Sequence, residues 1–263
     1  MDTIQRFSQK VDGYTRYRWD YAEEAIRAVI AECRISSKSV IADIGSGTGI
    51  LTRHFVDRVG SVVAVEPSLE MRAIAAEQDA GRYQILHGFA EATTLPSSSV
   101  DMITVGRALH WFQPDSTRAE FCRILKPSGW MAVFSVEWTD QELCKALKIL
   151  RTAENGWDAE ADHRALTKPV PLGFYFGHET FRNLRFPHVG RETWDDFLGR
   201  ISSFSAAPGP DHPMRPKFVD VLYQLFAAWA HEGNITVHRA TGVAFGHLQP
   251  SAREEIGHER DRG

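Results

Sequence analysis

Asp43-Ile44-Gly45-Ser46-Gly47-Thr48-Gly49 sets three glycines at alternate positions directly behind a carboxylate. Glycine turns the backbone sharply and lets a ligand lie close to the main chain. Val40-Ile41-Ala42 before it reads as a buried strand, and Ile50 to Val56 after it reads as the start of a helix. A strand, a glycine turn and a helix N-terminus together mark a nucleotide-type cofactor site. The spacing narrows the cofactor. A dinucleotide fingerprint, Gly-x-Gly-x-x-Gly, needs glycine where Ile50 stands, which argues against a NAD-dependent oxidoreductase. A second acid, Glu66, ends the apolar run Ser61-Val62-Val63-Ala64-Val65. A carboxylate there can accept hydrogen bonds from both ribose hydroxyls of an adenosine cofactor, or it is simply a solvated acid at a strand end. Pro67 breaks the strand, and Ser68 can cap a helix starting near Leu69-Glu70-Met71.

These residues need a scaffold, and the hydrophobic pattern supplies one. Ala22, Ala25, Ile26, Val29 and Ile30 have helical spacing ahead of the first strand. Four strand–helix units follow: Val40–Ile44 with a helix over Ile50–Val59, Val62–Glu66 with Leu69–Gln78, a short strand near Tyr83–His87, and Val100–Val105 with a helix including Ala119–Ile124. Lys126-Pro127-Ser128-Gly129 reads as a turn into a fifth strand, Trp130–Val136. Alternating strands and helices imply a parallel sheet covered on both faces. Beyond Val136 the rhythm changes. Trp138 to about Thr180 reads as an insertion over the carboxyl ends of the strands. Arg182–His188 follows as a strand, Thr193–Ile201 and Lys217–Ala230 as helices, and Asn234–His247, alternating apolar and polar, as a final edge strand. The expected division is a cofactor-binding core with N-terminal cap helices over residues 1–137, a lid over 138–180, completion of the core over 181–250, and a flexible tail over 251–263.

Composition excludes some partners. A formal net charge of −4 offers no basic field for a phosphate backbone, so no nucleic-acid partner is expected. Cys33, Cys122 and Cys144 show no metal-ligand spacing and suit a reducing compartment, and the scattered histidines show none either; no metal is expected. Met1 to Lys10 lacks an apolar core of signal-peptide length and no run approaches a membrane span, so a cytoplasmic protein without a membrane partner is expected.

From Ser39 to Val136 the chain resembles the class I S-adenosylmethionine-dependent methyltransferases. The resemblance is carried by Val40–Gly49, by Val63-Ala64-Val65-Glu66-Pro67-Ser68, by Gly88-Phe89-Ala90-Glu91-Ala92-Thr93-Thr94-Leu95-Pro96, by Ser99–Thr104 and by Leu125–Trp130. It implies an α/β, Rossmann-like fold with a seven-stranded sheet in the order 3-2-1-4-5-7-6, the last strand antiparallel. Ala108-Leu109-His110-Trp111-Phe112 resembles the small-molecule branch that includes trans-aconitate methyltransferase, as do Tyr14-Thr15-Arg16-Tyr17-Arg18-Trp19 and the closing Gly233–Phe245. Trp138–Thr180 matches no substrate-specific pattern, so the acceptor stays open.

The implied cofactor is S-adenosyl-L-methionine, with S-adenosyl-L-homocysteine as product. Gly45, Ser46, Gly47, Thr48 and Gly49 would face its methionine moiety, Asp43 its amino end, and Glu66 with Pro67 its ribose. Ala90 and Glu91 would lie by the adenine, with Met71 either packed on that ring or simply part of the core. Gly106 and Arg107 end the fourth strand beside the methionine part, and Tyr14, Tyr17 and Arg18 would close over the cofactor. His110 is the candidate general base, since an ordinary imidazole can take up a proton near neutral pH; a structural histidine is the alternative. Glu137 is the second candidate, and His110, Trp111 and Trp138 are candidate substrate contacts. The expected activity is methyl transfer to a small-molecule acceptor, at the oxygen of a carboxylate or hydroxyl. Alternatives are nitrogen or carbon methylation of a secondary metabolite, or cofactor binding without turnover. A monomer or homodimer is expected.

Overall fold

Short uninterrupted apolar runs build strands that are buried on both faces, as parallel sheets require. The computed structural model describes residues 17–79, 81–158, 170–204 and 206–249. Its strands are β1 (Val40–Ile44), β2 (Ser61–Val65), β3 (Gln84–Leu86), β4 (Val100–Gly106), β5 (Leu125–Trp138), β6 (Arg182–Glu192) and β7 (Ile235–Gly246). They form one mixed seven-stranded sheet in the order β3-β2-β1-β4-β5-β7-β6. The α-helices are α1 (Glu23–Glu32), α2 (Leu69–Asp79), α3 (Pro114–Ile124), α4 (Gln141–Leu150), α5 (Leu172–Phe176), α6 (Trp194–Ser202) and α7 (Arg215–Trp229).

The chain divides into two units. One comprises Glu23–Ser135, Pro169–Leu184 and Gly242–Gly263; the other comprises Met1–Ala22, Val136–Lys168 and Arg185–Thr241. The first unit packs Ile44, Val65, Val105, Phe121, Met131 and Phe176 among its core residues. The second packs Leu143, Trp157, Phe197, Phe218, Phe226 and Ile235. Trp157, Tyr175 and Phe176, which composition alone could assign to an acceptor pocket, are thus core residues of their units. Cys33 is buried, and Cys122 and Cys144 are half-buried.

Three expectations are corrected. No α-helix occupies Ile50–Val59: a single 3-10 turn, Thr52–His54, stands there. The Phe55 N–H bonds Thr52 O at 3.0 Å, and Asp57 then turns to φ +67°, which ends any helical path. The fifth strand starts earlier than the Lys126–Gly129 turn implied, at Leu125, with its pairing to β4 shifting between Val100 and Met102. Finally, β7 is not an edge: it lies between β5 and β6. Its alternation holds over Ile235–His238, whereas Ala240, Thr241 and Val243–Gly246 are buried. The edge is β6, where Arg182, Arg185 and Arg191 blunt further pairing.

Among the described residues no helix is long and apolar enough to cross a membrane. Phe121 on α3 is fully buried in the first core. Phe121→Ala should lower unfolding stability by about 3–5 kcal/mol, read by urea denaturation; a loss under about 1 kcal/mol would show that this helix is not a principal cover of the sheet.

Candidate active site

The carboxyl end of β1 lies where the strand order reverses. From β1 the chain goes to β2 and β3 on one side and returns to β4 on the other. Ligands of open α/β sheets bind at such points. Asp43 is in register with Ala64 of β2 and Thr104 of β4. Register partners share a face, which brings the Thr104 hydroxyl to the carboxylate. Thr104 Oγ1 donates to Asp43 Oδ1 at 3.0 Å, and Thr52 Oγ1 donates to Oδ2 at 2.6 Å. Asp43 is fully buried, and burial pushes its carboxyl up to about 6 against the opposing pull of these two hydroxyls.

The glycine turn is tied to the second strand, with Gly45 and Ser46 N–H groups both reaching Val65 O, at 2.9 and 3.2 Å. The Gly49 N–H closes the turn on Ser46 O at 3.0 Å. Gly45 has φ +66°, and a Cβ there would lie 2.8 Å from Ala108 Cβ and 3.0 Å from Phe112 Cζ. Only glycine lets the loop sit on the 108–112 segment. Gly47 differs: at φ +59° its missing Cβ would meet nothing within 4 Å, so the turn is open on that side. Ser46 Oγ and Thr48 Oγ1 are buried without a hydrogen-bond partner among the described residues. Buried hydroxyls normally find partners. An open turn with two waiting hydroxyls fits a polar ligand laid along the main chain.

Glu66 joins this turn to the end of β2. Its Oε2 accepts the Gly47 N–H at 2.9 Å and its Oε1 accepts the Ser68 N–H at 2.9 Å. Burial raises its pKa, opposed by those two amides. Each oxygen keeps a lone pair for a further donor. Arg72 braces the corner, donating to Glu66 O at 2.7 Å and Pro67 O at 2.8 Å. Ser68 Oγ accepts the Met71 N–H at 3.2 Å, capping α2 as its position suggests, and Met71 is buried.

The remaining residues of this unit gather around the same strand ends. Gly88 lies against Val65, and Ala90 beyond it is buried. The Glu91 carboxylate is engaged at the start of α3, where Oε1 accepts the Gln113 N–H at 2.7 Å and the Thr117 hydroxyl at 3.3 Å. Gly106 ends β4 opposite Phe134. Arg107 follows at φ +58°, its N–H on Phe134 O at 3.1 Å. A left-handed arginine is a strained conformation of the kind found at functional sites. His110 and Trp111 lie on the 3-10 turn Leu109–Trp111, ring centroids 5.0 Å apart, on the segment that Gly45 touches. The structure therefore brings Asp43, the glycine turn, Glu66, Gly106, Arg107 and the His110 turn to one sheet end.

The other predicted residues belong to the second unit. Tyr14 lies outside the described residues. The Tyr17 ring lies on Gly199 of α6, and Arg18 donates to Ser203 O at 3.2 Å and stands over the Phe204 ring. Glu137 is exposed, and Trp138 packs on Trp19 with centroids 5.1 Å apart. Thr52 and Thr104, the partners of Asp43, carry no linear signal; only the register of β4 against β1 reveals Thr104. Among the described residues no group of His, Cys, Asp and Glu is arranged to hold a metal ion.

Residues 42–133, which include the glycine turn, Glu66, Glu91, Arg107 and His110, match the family described as a methyltransferase domain. An uncharacterized methyltransferase of Mycobacterium tuberculosis is 35% identical over 128 residues, 49% of this chain and 51% of that protein. One from Schizosaccharomyces pombe is 28% identical over 207 residues, 76% of this chain and 78% of that protein. The chain thus spans about half the length of the curated relatives it first matches. A candidate type II methyltransferase from Anaeromyxobacter dehalogenans superposes with a TM-score of 0.63 at 22% identity, covering 89% of this chain and 99% of that one. The YcgJ protein of Bacillus subtilis gives 0.55 at 17% identity, covering 87% and 100%. At these identities the likeness is one of fold, and the sheet is the Rossmann-like sheet of such proteins.

The Asp43 pair predicts a pH dependence. Its folded pKa, about 6, exceeds the ordinary 3.8, so the folded state holds the proton more tightly and stability falls as pH rises across that interval. Thr104→Val removes a hydrogen bond that favours the charged form and should raise the folded pKa further. The stability deficit of the variant should therefore be small at pH 4 and grow towards pH 8, measured by urea denaturation across this range. A deficit independent of pH would show that the hydroxyl does not stabilise the carboxylate.

Proposed function

We propose that the chain is an S-adenosylmethionine-dependent methyltransferase acting on a small-molecule acceptor, at an oxygen atom of a carboxylate or hydroxyl. The observation that carries the reading is the Gly47–Glu66 arrangement: an open glycine turn whose amide is held by a buried carboxylate, inside the segment that matches the methyltransferase domain. When bound, the cofactor supplies a methyl carbon activated by a sulfonium. The residues present fit it. Glu66 has lone pairs left for two ribose hydroxyls, and Ser46 and Thr48 offer unused hydroxyls along the open turn. The Arg107 side chain supplies a cation for a carboxylate at the end of β4.

The chain's own work is positioning and proton handling. A rigid turn, bonded to Val65 O and to Glu66, fixes the cradle before any ligand arrives. Such orientation can supply roughly 7–11 kcal/mol of a bimolecular barrier. The His110 imidazole accepts the proton of an acceptor hydroxyl; a carboxylate acceptor, already ionised, needs no base. The formal net charge of −4 supports a small acceptor over nucleic acid. The narrower likeness to the trans-aconitate branch rests on the Ala108–Phe112, Tyr14–Trp19 and Gly233–Phe245 motifs alone.

The test is a binding titration with S-adenosylhomocysteine, followed by a cofactor-consumption assay against a panel of hydroxyl and carboxylate metabolites. Glu66→Ala should weaken binding at least about tenfold, since hydrogen bonds to a charged group contribute roughly 1.5–3 kcal/mol each. Gly47→Val, which fills the open side of the turn, should abolish binding in a variant that still melts cooperatively. Unchanged affinity in both would remove the turn from cofactor binding. With a hydroxyl acceptor, His110→Ala should slow turnover by ~10²–10⁴ at neutral pH while leaving cofactor affinity near wild type. Wild-type rates across pH would take His110 out of the reaction.

A further inference from the structure

The turn that carries His110 and Trp111 has little to hold it in place by itself. The Trp111 N–H bonds Ala108 O at 2.8 Å and the Phe112 N–H bonds Leu109 O at 3.3 Å, which closes a single 3-10 turn. Such turns have poor hydrogen-bond geometry and stay short. On one side the segment leans on the glycine turn, through the contacts of Ala108 and Phe112 with Gly45. Its other anchor lies just beyond Phe112, where α3 begins at Pro114. Gln113 is the N-cap of α3, yet its own side chain caps nothing. Helix starts need outside acceptors for their amides. Here Glu91 Oε1 accepts the Gln113 N–H at 2.7 Å and the Thr117 hydroxyl at 3.3 Å. In a capping box a Glu at the third helical position takes the N-cap amide. Ser116 stands at that position, and Glu91 does the work from another loop. Its negative charge also suits the positive end of the helix.

The loop that presents Glu91 is firmly placed. Phe89 and Ala92 exchange backbone bonds at 3.2 and 3.1 Å, so Ala90 and Glu91 form the tip of a tight turn. The Thr93 N–H and hydroxyl donate to Glu120 Oε1 at 2.8 and 2.5 Å, and Arg123 Nη2 donates to Leu95 O at 2.7 Å. The loop is therefore laced to α3 at residues 91, 93 and 95, and the joint at 91 is the one that adjoins the His110 turn. By resemblance Glu91 would lie by the adenine, but its carboxylate is committed to α3. We propose that Glu91 is a positioning residue for the His110–Trp111 turn, fixing where the imidazole and the indole stand, and is not a cofactor contact. Glu91 and the glycine turn then grip that segment between them. The consequence for methyl transfer rests on the reading given above; the positioning itself does not.

The experiment compares the wild-type chain with Glu91→Ala and Glu91→Gln. It uses titration with S-adenosylhomocysteine and the assigned His110 imidazole and Trp111 indole N–H resonances. Glu91→Ala should keep the affinity within about threefold of wild type while both resonances move. Glu91→Gln retains an oxygen for the Gln113 N–H and should return both towards their wild-type positions. If Glu91→Ala fails to melt cooperatively, Glu91→Asp, one methylene short of the Gln113 amide, gives the same reading. With a hydroxyl acceptor, Glu91→Ala should lower kcat roughly 10- to 100-fold. In a His110→Ala background the same change should cost less than about threefold, because an effect exerted through His110 has nowhere left to act. A larger loss of affinity in Glu91→Ala would make Glu91 a cofactor contact and overturn the proposal, as would unmoved His110 and Trp111 resonances. A wild-type chain that does not bind S-adenosylhomocysteine counts against the methyl-transfer reading instead, and the resonances alone then decide the positioning.

Discussion

A carboxylate with no access to water must be held by donors, and Asp43 is held by two threonines from different parts of the chain. Thr104 comes from the strand beside it and Thr52 from the turn that follows the glycines. The pair links β1 to β4 and pins the far end of the loop. Asp43 thus acts on the site from beneath, by fixing where the turn begins and where it lands. The open side at Gly47 and the amide given to Glu66 both follow from that anchorage. Replacing the acid with an apolar residue would leave two threonine hydroxyls unpaired in the same interior.

Much of this was legible because local chemistry left few options. The runs Val40–Ile44 and Val62–Val65 are too short for buried helices and too apolar for loops. The turn between them needs residues tolerant of positive φ, and glycines stand there. Glu66 was legible by its place at a strand end, and Ser68 by its place before a helix. The partner of Asp43 was not, because Thr104 becomes a neighbour only once β4 pairs in one register with β1. Nor was the fate of Ile50–Val59 legible. Its apolar spacing suits a helix, yet the Thr52 hydroxyl is committed to Asp43 and Asp57 turns left-handed. Glu91 illustrates the same limit: its carboxylate serves the start of α3, a helix more than twenty residues away in sequence. Tyr17 likewise rests on Gly199, a contact no local pattern announces.

The two units differ in how they treat charge. In the first, the hydrogen bonds to the buried acids Asp43 and Glu66 come from neutral donors, hydroxyls and amides. In the second, Glu192 faces Arg200 directly and indoles flank the pair.

The interleaving of the units along the chain also has a biosynthetic side. The chain leaves and re-enters each unit repeatedly, and Ala244, part of the first core, lies late in the sequence. A ribosome delivers β1 to β4 long before it delivers that residue, so the nascent sheet must wait, with apolar surface uncovered, for its last strand. Neither unit can be excised as a contiguous cassette, and gene fusions that cut the chain once will separate pieces of the same core. For this protein, recombination between relatives can exchange surface segments freely but must inherit the sheet as a whole.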